Sequence, residues 1–467
     1  MLILSLILSW TTPINISNTD SMSTHPALCM DKRGWLHCVW EEKVDGSIGA
    51  HGINDIYYTR YNGSTWSTPI NVSNDSFASW DPDVAVDTLN RIHIVWGNYE
   101  TGKIMWTMFE GDTWTTPVSI SDAVPYGCVA PELAVNPLNN YVHCVWHDMG
   151  SATTECEIWH TYFDGDTWSI PENVTNDPSR SIWPDVAVDS LGKIHLVWED
   201  GYSSQHNGAH IYYTRYENGS WLPFVDISPN CIGTVNPRIA IDRNNNPRVV
   251  WEERGGSAGY EVYYTYFDGI EWVNPVLVDT NISIKPVLTV DKDNRSHIAW
   301  GYANETYDTS DVFYTAYTDT TMEFPPENVS STDSASGAPC ITVDNGLVHL
   351  VWVDCSEGDS VFSNWEIYYS QRELSGIKEK DDKKVSFSLP SITVRKLFFT
   401  FYLSEPSSVY VSFYDLAGRK VNEISLGFKG KGTHQCGISL DLPSGVCFLI
   451  LKAGTQTYRG KIIFIKP

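Results

Sequence analysis

The sequence predicts an all-β chain: a seven-bladed β-propeller closed by an N-terminal strand, followed by a C-terminal β-sandwich of immunoglobulin-like form. Three observations carry this. A tetrapeptide ending in Trp returns seven times, at Trp40, Trp96, Trp146, Trp198, Trp251, Trp300 and Trp352. Its spacing of roughly 50 residues marks a repeat array. Each repeat parses into four short strands, which is one propeller blade, and the chain beyond the last repeat changes both pattern and charge.

The chain opens with Met1–Ser9, an apolar stretch that resembles the hydrophobic part of a secretory signal but lacks a basic start and a small-residue cleavage site. It is too short to span a bilayer. Locally it reads equally well as the remnant of a signal or as a lead into the first strand. Next comes Trp10-Thr11-Thr12-Pro13-Ile14-Asn15-Ile16-Ser17, which has the form of a fourth strand with no third strand before it. Blades one to six supply their own fourth strands at Trp66, Trp114, Trp168, Trp221, Trp272 and a degenerate copy at Met322, while blade seven has none. The N-terminal segment is therefore expected to complete blade seven and remove the open edges that invite aggregation.

Within residues 10–374 each blade follows one plan. The first strand is read as Pro-led and β-branched, as in Pro184-Asp185-Val186-Ala187-Val188-Asp189. A tight Asp-x-x-Gly or Asp-x-x-Asn hairpin leads to the second strand. There His37, His93, His143, His195, His297 and His349 stand three residues before the Trp, with Arg248 in blade five. A loop of variable length precedes an aromatic strand, for example Ile211-Tyr212-Tyr213-Thr214, and a Gly-containing turn leads to the last strand, opening Trp-x-x-Pro. Such aromatic content fits radial sheets packed face to face.

Residues 375–384, with Lys378, Lys380, Asp381, Asp382, Lys383 and Lys384, break the repeat and read as a linker. From 385 to 467, short apolar runs at 397–403, 409–414, 447–452 and 461–465 alternate with Gly, Pro and Ser turns, the pattern of a small sandwich. Charge divides along the same line. Residues 1–375 hold 17 Lys and Arg against 50 Asp and Glu, and residues 376–467 hold 14 against 7, for an overall −26. So acidic a propeller disfavours nucleic acid and anionic membranes as partners, and no segment is long enough for a transmembrane helix. The ten cysteines form no Cys-x-x-Cys pair. Most sit where other blades carry small apolar residues and read as buried thiols; Cys436 and Cys447 are close enough in sequence to pair or to remain free.

A residue present in every blade does blade work, so the repeated Trp and His are read as packing and hydrogen-bonding elements. Function is sought where blades differ, on the face carrying the variable loops. Three acids directly after the Pro of neighbouring blades, Asp83, Glu132 and Asp185, are candidates for an oxygen-rich site for Ca²⁺ or a cationic ligand group at the channel mouth. Trp80 and Trp183, placed in the loops entering blades two and four, are candidate stacking surfaces for a sugar or an apolar partner. Asp200 and the pair His147-Asp148 add ligand-binding candidates among the residues after the core Trp. Blade three alone puts His160 in a Tyr slot, which with His147 and Asp148 makes a candidate metal or acid-base group. No residue is assigned a catalytic role, since short hydrolase and nucleotide signatures are absent.

Two resemblances extend this reading. Phe163-Asp164-Gly165-Asp166-Thr167-Trp168, Phe109-Glu110-Gly111-Asp112-Thr113-Trp114 and Tyr61-Asn62-Gly63-Ser64-Thr65-Trp66 are similar to the Asp-box turn of sialidase-like propellers, one residue short. That likeness concerns architecture, and the Arg-Ile-Pro start of sialidases is absent. Tyr414-Asp415-Leu416, Gly418-Arg419-Lys420-Val421, Leu442-Pro443-Ser444-Gly445-Val446 and Lys461-Ile462-Ile463 together resemble the C-terminal sorting domain of the type IX secretion system. Cys447 replaces a usual Tyr, and Leu389-Pro390-Ser391 replaces the usual Pro-Asn-Pro. The second resemblance implies the type IX machinery as a partner and a secreted or outer-surface location, and it favours the signal reading of Met1–Ser9. The expected function is a non-catalytic binding or adhesion module for extracellular glycan or protein. The alternative is a sialidase-like glycoside hydrolase, which needs carboxylates or a Tyr nucleophile converging at the channel mouth.

Overall fold

In the computed structural model the described residues run from Trp10 to Phe464, leaving out 20, 45–51, 75, 152–154, 177, 202–207, 232, 256–258, 281, 304–309, 332–334, 345, 356–364, 375–386, 394–395, 404–405, 415–418, 440–444 and 454–455. Met1–Ser9, the 375–384 linker, parts of the sorting-domain motifs and the side chains of Cys436 and Cys447 lie outside the described set. All regular elements described are β-strands, and no described helix is long and apolar enough to cross a membrane. The chain divides into two compact units, with Trp10–Glu373 as the larger and Leu374–Pro467 in the smaller.

The larger unit is seven antiparallel sheets in ring order. Blade one runs Ser23–Met30, Leu36–Lys43, Asn54–Tyr61 and Ile70–Asn71 from the channel outward. The innermost strand of every blade contacts those of both neighbours, blade seven against blade one included, so the ring is closed. Blade seven takes Ser336–Val343, Leu347–Asp354 and Glu366–Glu373 from the end of the repeat and Ile14–Asn15 from its start. Ile14 pairs with Tyr369 and Asn15 with Tyr368, the closure read from the fourth-strand count.

Aromatic interlocks confirm that register. The fourth-strand Trp of each blade stands against an aromatic of the preceding blade's third strand: Trp66 on Tyr369, Trp114 on Tyr58 and Trp272 on Tyr213, with ring centroids 5.0–5.1 Å apart. Trp10 meets Tyr314 of blade six edge-on at 5.1 Å, and Met322 replaces the indole in blade six. The fourth strands themselves are broken. In blade one Trp66 bridges Tyr61 and the ladder resumes only at Ile70, because Pro69 between them has no N–H to donate.

The seven repeated Trp are fully buried. The repeated His forms a relay in the core: His37 Nδ1 lies 2.8 Å from Tyr58 Oη, and its Nε2 lies 3.7 Å from the hairpin carboxylate of Asp31. Blades four, six and seven repeat it with His195, His297 and His349. Blade five substitutes Arg248, bonded to Tyr264 at 2.9 Å and Asp242 at 3.2 Å. These are structural roles, as the regularity implies. The Asp-box-like segments are turns: Asp164 Oδ1 accepts the N–H groups of Asp166 and Thr167 at 2.9 and 2.8 Å. The eight described cysteines are free.

The smaller unit is an additional β domain of two antiparallel sheets. One holds Phe387–Thr393, Lys396–Leu403 and Gly432–Ser439; the other holds Lys420–Lys429, Ser407–Tyr414, Gly445–Ala453 and Gln456–Phe464. In Ser407–Tyr414 the side chains of Val409, Val411 and Phe413 are buried while Ser408 and Tyr410 are exposed, and Ser412, also buried, donates its hydroxyl to Glu423 at 2.6 Å.

Candidate functional site

The first strands start earlier than their prolines. Blade two's runs Ser79–Val86 and blade four's Ser181–Val188, so Trp80 and Trp183 are strand residues rather than loop residues. The reason is a bulge. In every blade the register with the second strand shifts just before the residue after Pro, as between Trp80 and Asp83 or Ile182 and Asp185. The Pro interrupts the ladder without ending it.

At each bulge the residue before Pro is left-handed: His25, Asp81, Ala130, Trp183, Asn236, Lys285 and Ala338 have φ between 46° and 52°. A residue before Pro ordinarily stays extended, and a non-Gly residue held here costs about 1–3 kcal/mol. Seven copies in a closed ring require a structural partner for each, and the preceding blade supplies several. The N–H of Asp81 donates to Glu41 Oε1 at 2.7 Å, that of Trp183 to His147 Nδ1 at 3.4 Å, and that of Lys285 to Glu252 Oε1. All three acceptors directly follow a core Trp. Where that position is Gly97 or Gly301, the next blade's pre-proline residue is Ala130 or Ala338. The correlation was present in the sequence and is intelligible only once blades are neighbours.

These seven residues lie beside the ends of the second strands, from which the long loops spring, as in the pairing of Ser23 with Glu42. They therefore ring the loop-face mouth of the channel, and apart from two Ala no two blades repeat a residue. Trp183 keeps 39% of its surface exposed there, with its ring 5.3 Å from that of His147. Burial pushes the His147 imidazole down to about 3, so it is a neutral acceptor.

Two residues further along the inner strands, Asp83, Glu132 and Asp185 are brought to one region, with Arg238 of blade five reaching into it. Arg238 Nη1 donates to Glu132 Oε1 and lies 4.0 Å from Asp185 Oδ1. Asp83 accepts the N–H of Leu133 and Asp185 that of Ile239, both at 2.7 Å. The guanidinium thus stands where the sequence suggested Ca²⁺ or a cationic ligand group. Burial raises Asp83 to about 6 and Glu132 and Asp185 to about 7, with Arg238 pulling each back down. Burial likewise raises Glu252 to about 7 beside Asn236, whose Nδ2 donates to it at 2.9 Å. The mouth therefore holds several carboxyl groups whose ionised form burial disfavours.

The other candidates are engaged within their own blades. Asp148 is buried, accepting Trp159 Nε1 at 2.8 Å, and Asp200 accepts Ser181 Oγ at 3.0 Å and Trp198 Nε1 at 3.2 Å. Both tie strands and indoles within their blades. Trp80 stacks on Tyr99 at 5.3 Å. His160 does not meet His147; it bonds His143 at 3.0 Å and Glu172 at 2.9 Å, a variant of the core relay.

No protein-family model and no curated protein matches the chain. Among solved structures, a protein of unknown function from Dyadobacter fermentans is similar at 12% identity and TM-score 0.51, over 78% of this chain and 98% of that one. An α-L-arabinanase of Penicillium chrysogenum complexed with arabinobiose is similar at 13% identity and TM-score 0.47, over 67% and 99%. The NanB sialidase of Streptococcus pneumoniae is similar at 10% identity and TM-score 0.43, over 77% and 69%. At these identities each likeness concerns the fold alone.

Proposed function

We propose that the propeller binds an extracellular glycan at the loop-face mouth of its channel, and that the C-terminal domain directs its export by the type IX route. The observation that carries the first part is the mouth itself. A half-exposed indole, Trp183, shares the ring of pre-proline positions with the small Ala130 and with Asn236 of the flanking blades, and Arg238 with its carboxylate partners follows two residues after Asn236. An aromatic face beside convergent polar groups is the chemistry that holds a sugar ring. Trp183→Ala is expected to weaken binding on a glycan array and by titration tenfold or more, with Asp164→Asn, in the turn after a third strand, as the control. Binding unchanged by the indole's loss would refute the site.

One observation favours catalysis as a second reading: Glu132 and Asp185 both approach Arg238, and burial raises both carboxyl groups, the setting in which a carboxyl can act as a general acid. Fluorogenic glycosides run beside the array separate the readings, since turnover lost in Glu132→Gln would make the protein a glycoside hydrolase.

Export rests on the sorting-domain resemblance and the positive balance after residue 376. Deleting residues 385–467 in a host with the type IX machinery should hold the propeller in the periplasm. Undiminished secretion would overturn this.

A further inference from the structure

We propose that His25, Glu41 and Asp81 form a binding site for a divalent cation of the zinc class at the rim of the channel. His25 and Asp81 are the pre-proline residues of blades one and two, and Glu41 follows the core Trp of blade one. Their ligand atoms all lie within 4.8 Å of one another, and His25 Nδ1 is 3.1 Å from Glu41 Oε1. Two atoms bound to one tetrahedral ion at its usual bond length stand about 3.3 Å apart, so the His25–Glu41 ion pair lies at a spacing that a cation could bridge in place of the shared proton.

The surroundings fit a ligand set. Glu41 is held by Thr24 Oγ1 at 3.3 Å and Asn54 Nδ2 at 3.2 Å on Oε2, and by the Asp81 N–H at 2.7 Å on Oε1. Such outer hydrogen bonds orient a metal carboxylate. The Asp81 carboxylate, by contrast, accepts no hydrogen bond from any described residue, and its ligand oxygen lies within 4.8 Å of those of His25 and Glu41. A group left so placed gains most from a cation. One imidazole nitrogen with two carboxylates suits zinc, whereas Ca²⁺ takes six to eight oxygens. Three protein ligands leave a fourth position for water or another ligand. The site stands apart from the glycan reading, because metal binding is measurable with no glycan present.

The test uses the full chain, stripped with a chelator and titrated calorimetrically with Zn²⁺, with Co²⁺ as a spectroscopic substitute. The expected result is one saturable site per chain, weakened tenfold or more by His25→Asn and by Asp81→Asn. Asn already occupies this left-handed position as Asn236, so both variants keep a tolerated backbone. The Co²⁺ spectrum should lack a thiolate charge-transfer band, which separates the site from the free cysteines. No saturable binding, equal binding by parent and both variants, or a thiolate band would each overturn the proposal.

Discussion

Arg238→Gln is expected to destabilise the propeller by about 2–3 kcal/mol near pH 8, below the loss usual for a broken buried ion pair because water reaches the guanidinium. Its side chain is 40% exposed to the channel. Near pH 5 the loss should be much smaller. Asp83, Glu132 and Asp185 are raised to about 6–7 in the folded protein, against about 4 unfolded. Groups raised on folding add stability that is complete below the unfolded value and is lost as pH climbs through the folded one. Arg238 limits that loss by favouring the ionised forms. Without it the three rise further, so the deficit opens above about pH 6 and closes toward pH 4. Urea unfolding of parent and variant at both pH values checks this. An equal deficit at the two values, or none at the higher, would show that Arg238 is not the counter-charge of the three acids. Adding Asp83→Asn, Glu132→Gln and Asp185→Asn to the variant should flatten the pH dependence, since neutral groups of similar shape carry no charge to leave uncompensated.

The blade plan was legible because the same physical demand recurs seven times. A buried Trp after a two-residue apolar step, a hairpin Asp and an aromatic third strand each report one position of a fixed sheet, and the orphan segment at Trp10 is visible only against that count. The mouth was harder to read. Local preference puts a residue before Pro in extended backbone, so nothing at Asp81 or Trp183 alone announces a left-handed bulge. That bulge decides where the indoles go. Trp80 stands two residues before Pro82 and stacks on Tyr99, while Trp183 stands directly before Pro184 and faces the mouth, an offset of one residue that in a strand changes the face. Arg238 was visible in the same slot as the three acids. Its reach from blade five to Glu132 in blade three is a property of ring curvature and a long side chain, which spacing along the chain does not encode. Asp148 and Asp200 have the composition of ligand groups and are used up on indoles and a serine hydroxyl of their own blades.

Removing Trp10–Ser17 should be the most damaging change to the propeller, because one short segment supplies four kinds of contact at the seam. Ile16 is buried in the core between blades seven and one, and Trp10 packs on Tyr314 of blade six. Ser17 Oγ donates to Glu366 and accepts the Ile367 N–H at 2.8 Å, and Thr11 and Ile16 donate their N–H groups to Gln371 and Ile367. Two large apolar side chains returned to water cost about 2–3 kcal/mol each, and the buried hydrogen bonds add about 1 kcal/mol apiece. The sum is a large fraction of the 5–15 kcal/mol that holds a typical domain folded. The third strand of blade seven, Glu366–Glu373, would also become an open edge able to pair with another chain. The truncated protein is therefore expected to melt at least 10 °C lower and to scatter light on heating at concentrations where the parent stays clear. Supplying residues 10–17 as a separate peptide should raise the melting temperature again in a concentration-dependent way, since binding to the folded form stabilises it by mass action. A truncated chain that melts like the parent would mean that contacts among the innermost strands hold the ring by themselves, and that the terminal strand only covers an edge.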